Sequence, residues 1–350
     1  MRLFLSRILG AALTLATATT ARSCRPDVQQ ASVTAVAELG TPPSWAENLA
    51  FRPDGNLLVT RLYEPALYHV DVTTGAVVEV YAWNGSEHLG VLGVGQTTAD
   101  VFYVAVAALV DLTTGATVAG ANEIYRVDMR PFMLTDDGTA VANAAVVTRV
   151  ATVEAAGLFN GLAVLDKRYL LVADSIGGVV YGVDVLTGAY GVAVNDSLMS
   201  VGYAAYPQST LGINGVKVYG DQLYWTNSAA GLLARVPINR LGQAVGPASI
   251  AVADVVPIDD FAIRGDGVAF LCQNQLNTLS VAYLDERRPV TSFAIAGSNG
   301  STVLAGVTAA MFSPSRPKRL YLSTSGGLAA PINGTVTVSG GVSYIDTTDY

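Results

Sequence analysis

The stretch NGLAVLDKRYLLVADSIGGVVYGVDVLTG, residues 160–188, contains three short apolar runs separated by polar turns. The runs cover residues 160–164, 169–174 and 179–184, and the third ends in Val-Asp before a Leu-Thr-Gly turn. Short runs rich in Val, Leu, Ala and Tyr, bounded by Gly and Asp, predict buried β-strands. The segment therefore predicts one unit of consecutive antiparallel strands.

The same unit returns along the chain, with further copies starting at residues 47, 88, 214, 259 and 305. Four short strands at a repeat of roughly 40–50 residues are typical of a β-propeller blade. One interval is longer, and residues 131–143 look like an insertion between strands of blade 2. Residues 32–39 resemble a fourth strand but precede the first blade, so we expect them to complete the last one. The sequence predicts an all-β, six-bladed β-propeller with four antiparallel strands per blade, as a single domain over residues 22–350.

Composition excludes several classes of protein. The chain has 350 residues, of which 51% are hydrophobic and 14% charged, and its net charge is −8. Disordered chains are charged and poor in apolar residues, and proteins that bind nucleic acid usually present basic patches. Beyond the N-terminus, no run approaches the ~18 apolar residues of a membrane span. We therefore expect a folded protein with small-molecule partners, no nucleic acid and no membrane span.

The N-terminus has the three parts of a secretory signal peptide. Arg2 and Arg7 precede an apolar stretch, residues 8–18, which ends in small residues. We expect residues 1–21 to be removed and the protein to enter the secretory pathway or the extracellular space. The alternative is a short buried helix.

Two further features fit export. Asn-x-Ser/Thr motifs are glycosylation acceptors, and they occur at Asn84, Asn195, Asn299 and Asn333. The two cysteines, Cys24 and Cys272, are too few for a zinc site or a disulfide scaffold, but an oxidising compartment would allow one bridge. Such a bridge would fix the new N-terminus to the body of the protein; the alternative is two unpaired thiols.

Polar residues cluster where a propeller places one mouth of its central channel. The first strand of a blade lines the channel, and the second strand returns antiparallel to the same end. The residues that open first strands (the openers) are therefore expected to lie near the residues that end second strands (the enders). The openers are Glu47, Asn48, His88, Asn160, Asn214, Asp259 and Asp260. The enders are Arg61, Asp174, Ser175, Asn227, Ser228, Gln273, Asn274, Ser323 and Thr324. Aromatic residues flank them at Trp45, Phe159, Trp225 and Phe261.

Several interpretations of this cluster stay open. Asn and Asp at strand starts also cap turns and bond to backbone. Oxygen ligands from Glu47, Asn160, Asn214 and Asp259 would suit calcium, which takes 6–8 oxygens. No Cys/His cluster predicts zinc, and no phosphate-binding loop or nucleophile elbow is present. His88 should face the mouth, either as a general base or hydrogen-bond donor, or as a histidine without chemistry.

The repeat resembles the six-bladed propellers of the SMP-30/gluconolactonase and paraoxonase type over the whole mature chain. Their metal residues open innermost strands as Glu, Asn, Asn and Asp, which match Glu47, Asn160, Asn214 and Asp259 here. His88 falls where paraoxonase-like lactonases keep a histidine base. This resemblance implies a calcium-dependent lactonase or esterase.

A closer resemblance is to secreted propellers of fungal secondary-metabolite pathways. It rests on WAENLA at 45–50, FNG at 159–161, LVADS at 171–175, GINGVK at 212–217 and YWTNS at 224–228. This branch includes the hetero-Diels–Alderases of tropolone sesquiterpenoid biosynthesis, to which the chain is similar along its full length. The resemblance implies a pericyclase with no required cofactor. It would join an ortho-quinone methide, formed from a tropolone or phenol, to an alkene of a humulene-type sesquiterpene, giving a dihydropyran.

The roles of individual residues in such a reaction rest on their predicted position alone. A cycloaddition needs two apolar reactants held face to face and donors aimed at the oxygen where negative charge grows. The candidate catalytic donors are Arg61, His88, Asn160, Asn214 and Asn227. The candidate walls are Trp45, Phe159, Trp225 and Phe261, and the other substrate-binding candidates are Glu47, Asn48, Asp174, Ser175, Asp259, Asp260, Gln273, Asn274 and Ser323. A propeller that binds a partner without catalysis is the third hypothesis.

Overall fold

The computed structural model describes residues 30–111, 114–203, 210–255 and 257–350. These residues form six four-stranded antiparallel sheets and one two-stranded hairpin. Four single turns of 3-10 helix are the helical elements of this part of the chain. The predicted six-bladed propeller is confirmed.

The strands follow the chain order blade by blade. They are β1 (Thr34–Glu38); blade 1, β2 (Ala46–Phe51), β3 (Leu57–Arg61), β4 (Ala66–Val70) and β5 (Val77–Ala82); blade 2, β6 (His88–Thr98), β7 (Val101–Ala108), β8 (Glu123–Asp128), the hairpin β9 (Met133–Leu134) and β10 (Val141–Asn143), and β11 (Val146–Thr152); blade 3, β12 (Phe159–Val164), β13 (Tyr169–Asp174), β14 (Val179–Asp184) and β15 (Tyr190–Asn195); blade 4, β16 (Ile213–Tyr219), β17 (Gln222–Asn227), β18 (Leu232–Pro237) and β19 (Ser249–Val252); blade 5, β20 (Phe261–Ile263), β21 (Val268–Gln273), β22 (Thr278–Tyr283) and β23 (Phe293–Gly297); and blade 6, β24 (Val307–Phe312), β25 (Arg319–Thr324) and β26 (Gly341–Asp346).

The ring closes through the N-terminal strand. β1 pairs antiparallel with β26 and forms the outer edge of blade 6, as predicted for residues 32–39. The innermost strands β2, β6, β12, β16, β20 and β24 contact one another in sequence, and β24 contacts β2. A single sheet therefore contains strands from both ends of the described chain.

The predicted insertion of blade 2 is also confirmed. Its residues form the hairpin of β9 and β10, between the third and fourth strands of the blade. Blade 2 has a second expansion that was not predicted, the long connection between β7 and β8. Among the described residues, no helix is long and apolar enough to cross a membrane.

Side-chain hydroxyls on second strands, or on the residue directly after one, bind the neighbouring blades together. Each donates a hydrogen bond to a backbone carbonyl next to or within the innermost strand of another blade. The pairs are Thr60 to Leu92 at 2.7 Å, Ser175 to Ile213 at 2.5 Å, Thr226 to Asp259 at 2.5 Å and Ser323 to Glu47 at 3.0 Å. Because a buried carbonyl needs a partner, these bonds fix the height of one blade against the next.

Two glycines allow the innermost strands to approach closely. A Cβ on Gly161 would lie 2.6 Å from the carbonyl oxygen of Asn214, and one on Gly215 would lie 2.0 Å from Asp260 Oδ1. No real Cβ tolerates such distances. The glycine of each Asn-Gly pair is therefore needed for packing, while the asparagine before it is left to face the channel mouth.

Candidate functional site

A cavity opens at the predicted mouth of the channel. Its empty space, including the open entrance, is about 790 Å³. Its polar floor consists of Glu47, Asn160, Asn214, Ser228, Asp259 and Asn274. All six were expected at this mouth, and they come from blades 1, 3, 4 and 5.

β-bulges direct the floor side chains to the mouth. The pairing register shifts between Ala46 and Leu49, between Phe159 and Leu162, and between Ile213 and Val216. Each shift encloses one floor residue at the start of an innermost strand. A bulge inserts an extra residue and re-aims a side chain, and bulges are common beside functional sites.

Hydrogen bonds hold part of the floor. Trp45 Nε1 donates to Glu47 Oε2 at 2.5 Å, and Asn274 Nδ2 donates to Asp259 Oδ2 at 2.9 Å. Asn214 Nδ2 donates to Ser228 Oγ at 3.0 Å, and that hydroxyl donates to the Ile258 carbonyl at 2.7 Å. The Ser228 hydroxyl is therefore held by an amide and a carbonyl rather than by a base.

Two amides of the floor keep unused hydrogen-bonding capacity. Asn214 Oδ1 is buried without a partner among the described residues. Asn160 lines the cavity with only 5% of its surface exposed, and no hydrogen bond joins its side chain to another described residue. Buried polar groups are normally paired, so these amides are available to a ligand.

The two carboxyl groups of the floor, Glu47 and Asp259, have pKa values above their usual range. Burial, with the negative charge of Asp259, raises the pKa of Glu47 well above its usual range. Burial raises the pKa of Asp259 to about 7, against the opposing hydrogen bond from Asn274. Desolvation penalises the ionised form of a carboxyl, so the floor favours neutral, proton-bearing groups.

A second polar cluster lies further along the channel. Lys217 Nζ is 2.7 Å from both carboxylate oxygens of Asp260, and Asn48 Nδ2 donates to Asp260 Oδ2 at 3.1 Å. Lys217 and Asn48 line an opening on the opposite side from the floor. We call Lys217, Asp260 and Asn48 the ionic plug, because they form a charged cluster within the channel. Asn48 and Asp260 were expected at the mouth, and the structure places them in this plug instead.

One side of the cavity is an apolar wall. It consists of Trp45, Leu62, Leu89, Leu92, Leu158 and Leu211, which belong to one hydrophobic cluster and line the cavity. Trp45 was predicted and the leucines were not, because only polar and aromatic residues at strand ends were expected at the mouth. Their signal is their position next to mouth residues, as with Leu62 after Arg61.

Tyr63 adds a strained aromatic residue to the same side. Its φ is 64°, in the left-handed region, and its ring meets that of Trp45 edge-on with centroids 5.8 Å apart. The residue is more than half exposed and lines the cavity. A bulky residue held in this conformation costs free energy, and such strain concentrates at functional sites.

Three of the four expected aromatic walls are wrong. Phe159, Trp225 and Phe261 are fully buried in hydrophobic clusters away from the mouth. Trp225, for example, packs against Ile213 and Met199. Large apolar rings gain most when they are fully removed from water, and here the space between blades supplies that environment.

Arg61 and His88 also lie outside the cavity lining. Arg61 forms an ion pair with Glu64 at 2.6 Å and lies over the ring of Tyr68. The side chain of His88 is buried, with Nε2 3.3 Å from a carboxylate oxygen of Glu123. Neither is placed to touch a molecule on the floor, so the donor roles expected for them are corrected.

Five other predicted residues satisfy backbone or neighbouring polar groups. Asp174 accepts from the backbone N–H groups of Gly157, Leu158, Ile176 and Gly177. Asn227 donates to the carbonyls of Leu198 and Ser200, and Gln273 accepts from Ser280. Ser175 and Ser323 form the interblade bonds described above. For these residues the other interpretation given above applies: their polar groups form hydrogen bonds to turns, backbone and neighbouring side chains.

The modification sites have mixed outcomes. Asn84, Asn195, Asn299 and Asn333 are all exposed, so glycosylation there is sterically possible and stays a prediction. The signal peptide and Cys24 lie outside the described residues. Cys272 is a fully buried thiol that is not in a disulfide in the described structure.

The fold and cavity define the class: a six-bladed propeller with a cavity at one mouth of its channel. By structure, the chain is similar to regucalcin, a calcium-binding protein of Agrobacterium tumefaciens, with a TM-score of 0.60, 14% identity and coverage of 91% of this chain and 94% of the other. It is also similar to a luciferin-regenerating enzyme, with a TM-score of 0.61, 12% identity and coverage of 91% and 96%. At these identities the likeness shows the fold alone.

Sequence comparison points to a particular group of proteins. The chain is 24% identical over 353 residues to the "putative hetero-Diels-Alderase asR5" of Sarocladium schorii, covering 88% of this chain and 82% of the relative. It is 24% identical over 307 residues to the "putative hetero-Diels-Alderase" of a Phoma species, covering 81% and 84%. No family model matches the chain. The predicted similarity to these fungal proteins is confirmed.

Proposed function

We propose that this protein is a hetero-Diels–Alderase. It joins an ortho-quinone methide, derived from a tropolone or phenol, to an alkene of a humulene-type sesquiterpene. The observation that carries the proposal is the cavity, which combines an apolar wall with a polar floor on which the amides of Asn160 and Asn214 keep unused hydrogen-bonding capacity. The similarity to the two fungal proteins supports it.

The proposed reaction matches what the cavity contains. One C–C bond and one C–O bond form between heterodiene and alkene while π electrons move around the ring, and no group leaves. The step therefore needs no nucleophile and no redox partner. Holding two reactants in the reactive orientation can lower a barrier by several kcal/mol.

The floor can also stabilise the transition state. Negative charge grows on the quinone-methide oxygen as its ring becomes aromatic, and a positioned donor stabilises that charge most in a site without water. Asn160 offers an amide N–H with no other partner among the described residues. Glu47 offers a carboxyl proton, because its raised pKa favours the neutral form.

The test is product formation and selectivity with a quinone methide generated in solution and humulene as the alkene. We expect the protein to accelerate dihydropyran formation and to give one stereoisomer. Asn160→Ala should lower the rate about tenfold, less than the ~10²–10³ for a full oxyanion donor. Asn143→Ala, on the exposed hairpin of blade 2, is the control. Equal rates and product ratios with and without the protein would overturn the proposal.

A second candidate is a calcium-dependent lactonase or esterase. The floor fits a hard cation in its chemistry, because Asn214 Oδ1 is buried and unpartnered while Glu47 and Asp259 present carboxyls beside it. Glu47, Asn160, Asn214 and Asp259 would hold the ion, which would polarise a lactone carbonyl. Within the described ranges, however, no three His, Cys, Asp or Glu side chains group closely enough to hold a metal.

Calcium distinguishes the two candidates. Under the hydrolase hypothesis, micromolar calcium raises the melting temperature, Asp259→Asn abolishes that shift, and lactones are hydrolysed. Under the pericyclase hypothesis, ring formation is unchanged by a chelator.

We further propose that the protein is secreted, glycosylated and joined by a Cys24–Cys272 disulfide. Ala31 and Val33, which follow Cys24 in the chain, pack against the hydrophobic cluster that contains Cys272. Non-reducing mass spectrometry of protein secreted by a eukaryotic host tests all three. A mature N-terminus near residue 22, glycans and one linked peptide pair are expected; a free Cys272 thiol would contradict the disulfide.

A further inference from the structure

The two sides of the cavity differ in chemistry. The apolar wall comes from blades 1 to 3 and from the connection that enters blade 4. The polar groups other than Glu47 and Asn160 come from blades 4 and 5: Asn214, Ser228, Asp259, Asn274 and Gln275. Gln275 was not predicted, and its exposed side chain has no hydrogen bond to another described residue.

The ring places these two sides opposite each other. In a closed ring of six blades, blade 2 faces blade 5 across the channel axis. Leu89 and Leu92 of blade 2 therefore lie across the cavity from Asp259, Asn274 and Gln275 of blade 5. Pro257 and Ile258 add some apolar surface beside the polar groups, but no polar floor residue comes from blade 2.

A pocket with one apolar and one polar side suits two reactants of unequal polarity. A hydrocarbon gains free energy from contact with the leucine side, because its apolar surface is removed from water there. If the hydrocarbon bound against blades 4 and 5 instead, it would leave their polar groups desolvated and without hydrogen-bond partners, which costs free energy. A heterodiene with carbonyl and hydroxyl oxygens has the opposite preference.

We propose that the cavity is divided into two subsites. The hydrocarbon alkene binds against Leu89, Leu92 and Leu158. The oxygen-bearing heterodiene binds against blades 4 and 5 with Gln275 as a recognition residue, and its reacting oxygen is directed to the floor donors Asn160 and Glu47. The division fixes which face of each reactant meets the other, and so sets the stereochemistry. This inference rests on the proposed function.

Variants of Leu89 and Gln275 test the division through two stable probes, humulene and tropolone, measured by calorimetric titration. Leu89→Ala should weaken humulene binding about tenfold and leave tropolone binding within twofold. Gln275→Leu, which keeps the size and removes the amide, should weaken tropolone binding about fivefold and leave humulene unaffected. Leu276→Ala, exposed beside Gln275 and outside the cavity lining, is the control for folding.

The outcomes separate this inference from the proposed function. If each variant weakens both probes equally, or if the probes compete for one place, the division is wrong even where ring formation is catalysed. If both probes bind together with the expected selectivity but no ring forms from reactive substrates, the subsites stand and the reaction is wrong. Retained binding of both probes by both variants would also overturn the division.

Discussion

Asp259 and Asp260 are consecutive in the chain, but only one of the two carboxyl groups has a cationic partner among the described residues. Asp260 is matched by the Lys217 ammonium at 2.7 Å from each carboxylate oxygen and by the amide of Asn48. Asp259 receives the amide of Asn274 and has no ammonium or guanidinium partner among the described residues. Its pKa is raised to about 7 by burial. The negative charge of Asp260 within the channel is thus paired with a positive charge, whereas ionised Asp259 on the floor of the cavity is not.

The contrast separates structural from functional polarity. A buried carboxylate paired with an ammonium and hydrogen-bonded at its other lone pairs is satisfied, and it fixes the blades around it. A buried carboxyl without a cation is costly in its ionised form. Here the carboxyl without a cation, Asp259, lines a cavity that a ligand can enter. Strongly perturbed pKa values in a cleft are typical of functional sites.

The largest expected effect comes from breaking the balanced pair. Lys217→Met leaves the Asp260 charge buried and unpaired, so we expect a loss of about 3–5 kcal/mol in the free energy of unfolding. Denaturant titration measures it. Lys217→Met combined with Asp260→Asn should recover most of the loss. A single variant within about 1 kcal/mol of wild type would mean that the plug is not a buried ion pair.

The unbalanced carboxyl should respond to pH. The pKa of Asp259 is higher in the folded protein than its usual value near 4, so its contribution to stability is present at low pH and is lost as pH rises through about 7. This part of the unfolding free energy should fall by on the order of 2–4 kcal/mol between pH 4 and pH 7.

Asp259→Asn should make that decline shallower, while Glu47, whose pKa is also raised, keeps part of it. Unfolding free energies at several pH values, without divalent ions, provide the measurement. Asp136→Asn, on an exposed turn, controls for the loss of one charge. A stability that rises over this range through Asp259 would mean that a cation neutralises the floor.

The sequence was sufficient for the fold and for the floor. Regular strand spacing predicts the blades, and chain direction alone brings Glu47, Asn160, Asn214 and Asp259 to one mouth. It was insufficient for what lies beside them. A bulge at the start of an innermost strand decides which of two adjacent residues faces the cavity, so Phe159 turns into the core while Asn160 faces the mouth. Strand alternation cannot reveal such a bulge. The leucines of the wall resemble core leucines in residue type, and only their position beside strand-end residues, as with Leu62 after Arg61, distinguishes them.

The smallest effect concerns Trp45, the one donor among the described residues that forms a hydrogen bond with the Glu47 side chain. Trp45→Phe keeps an aromatic ring beside Tyr63 but removes the N–H that donates to Glu47 Oε2. Loss of this bond should cost about 0.5–1.5 kcal/mol of stability. Because the bond lowers the pKa of Glu47 against the effect of burial, its removal should raise that pKa further. Carboxyl-carbon NMR titration of wild type and variant measures the change. An unchanged or lower pKa would show that the indole does not hold the Glu47 carboxylate, and that the charge state of the floor is set by Asp259 and burial alone.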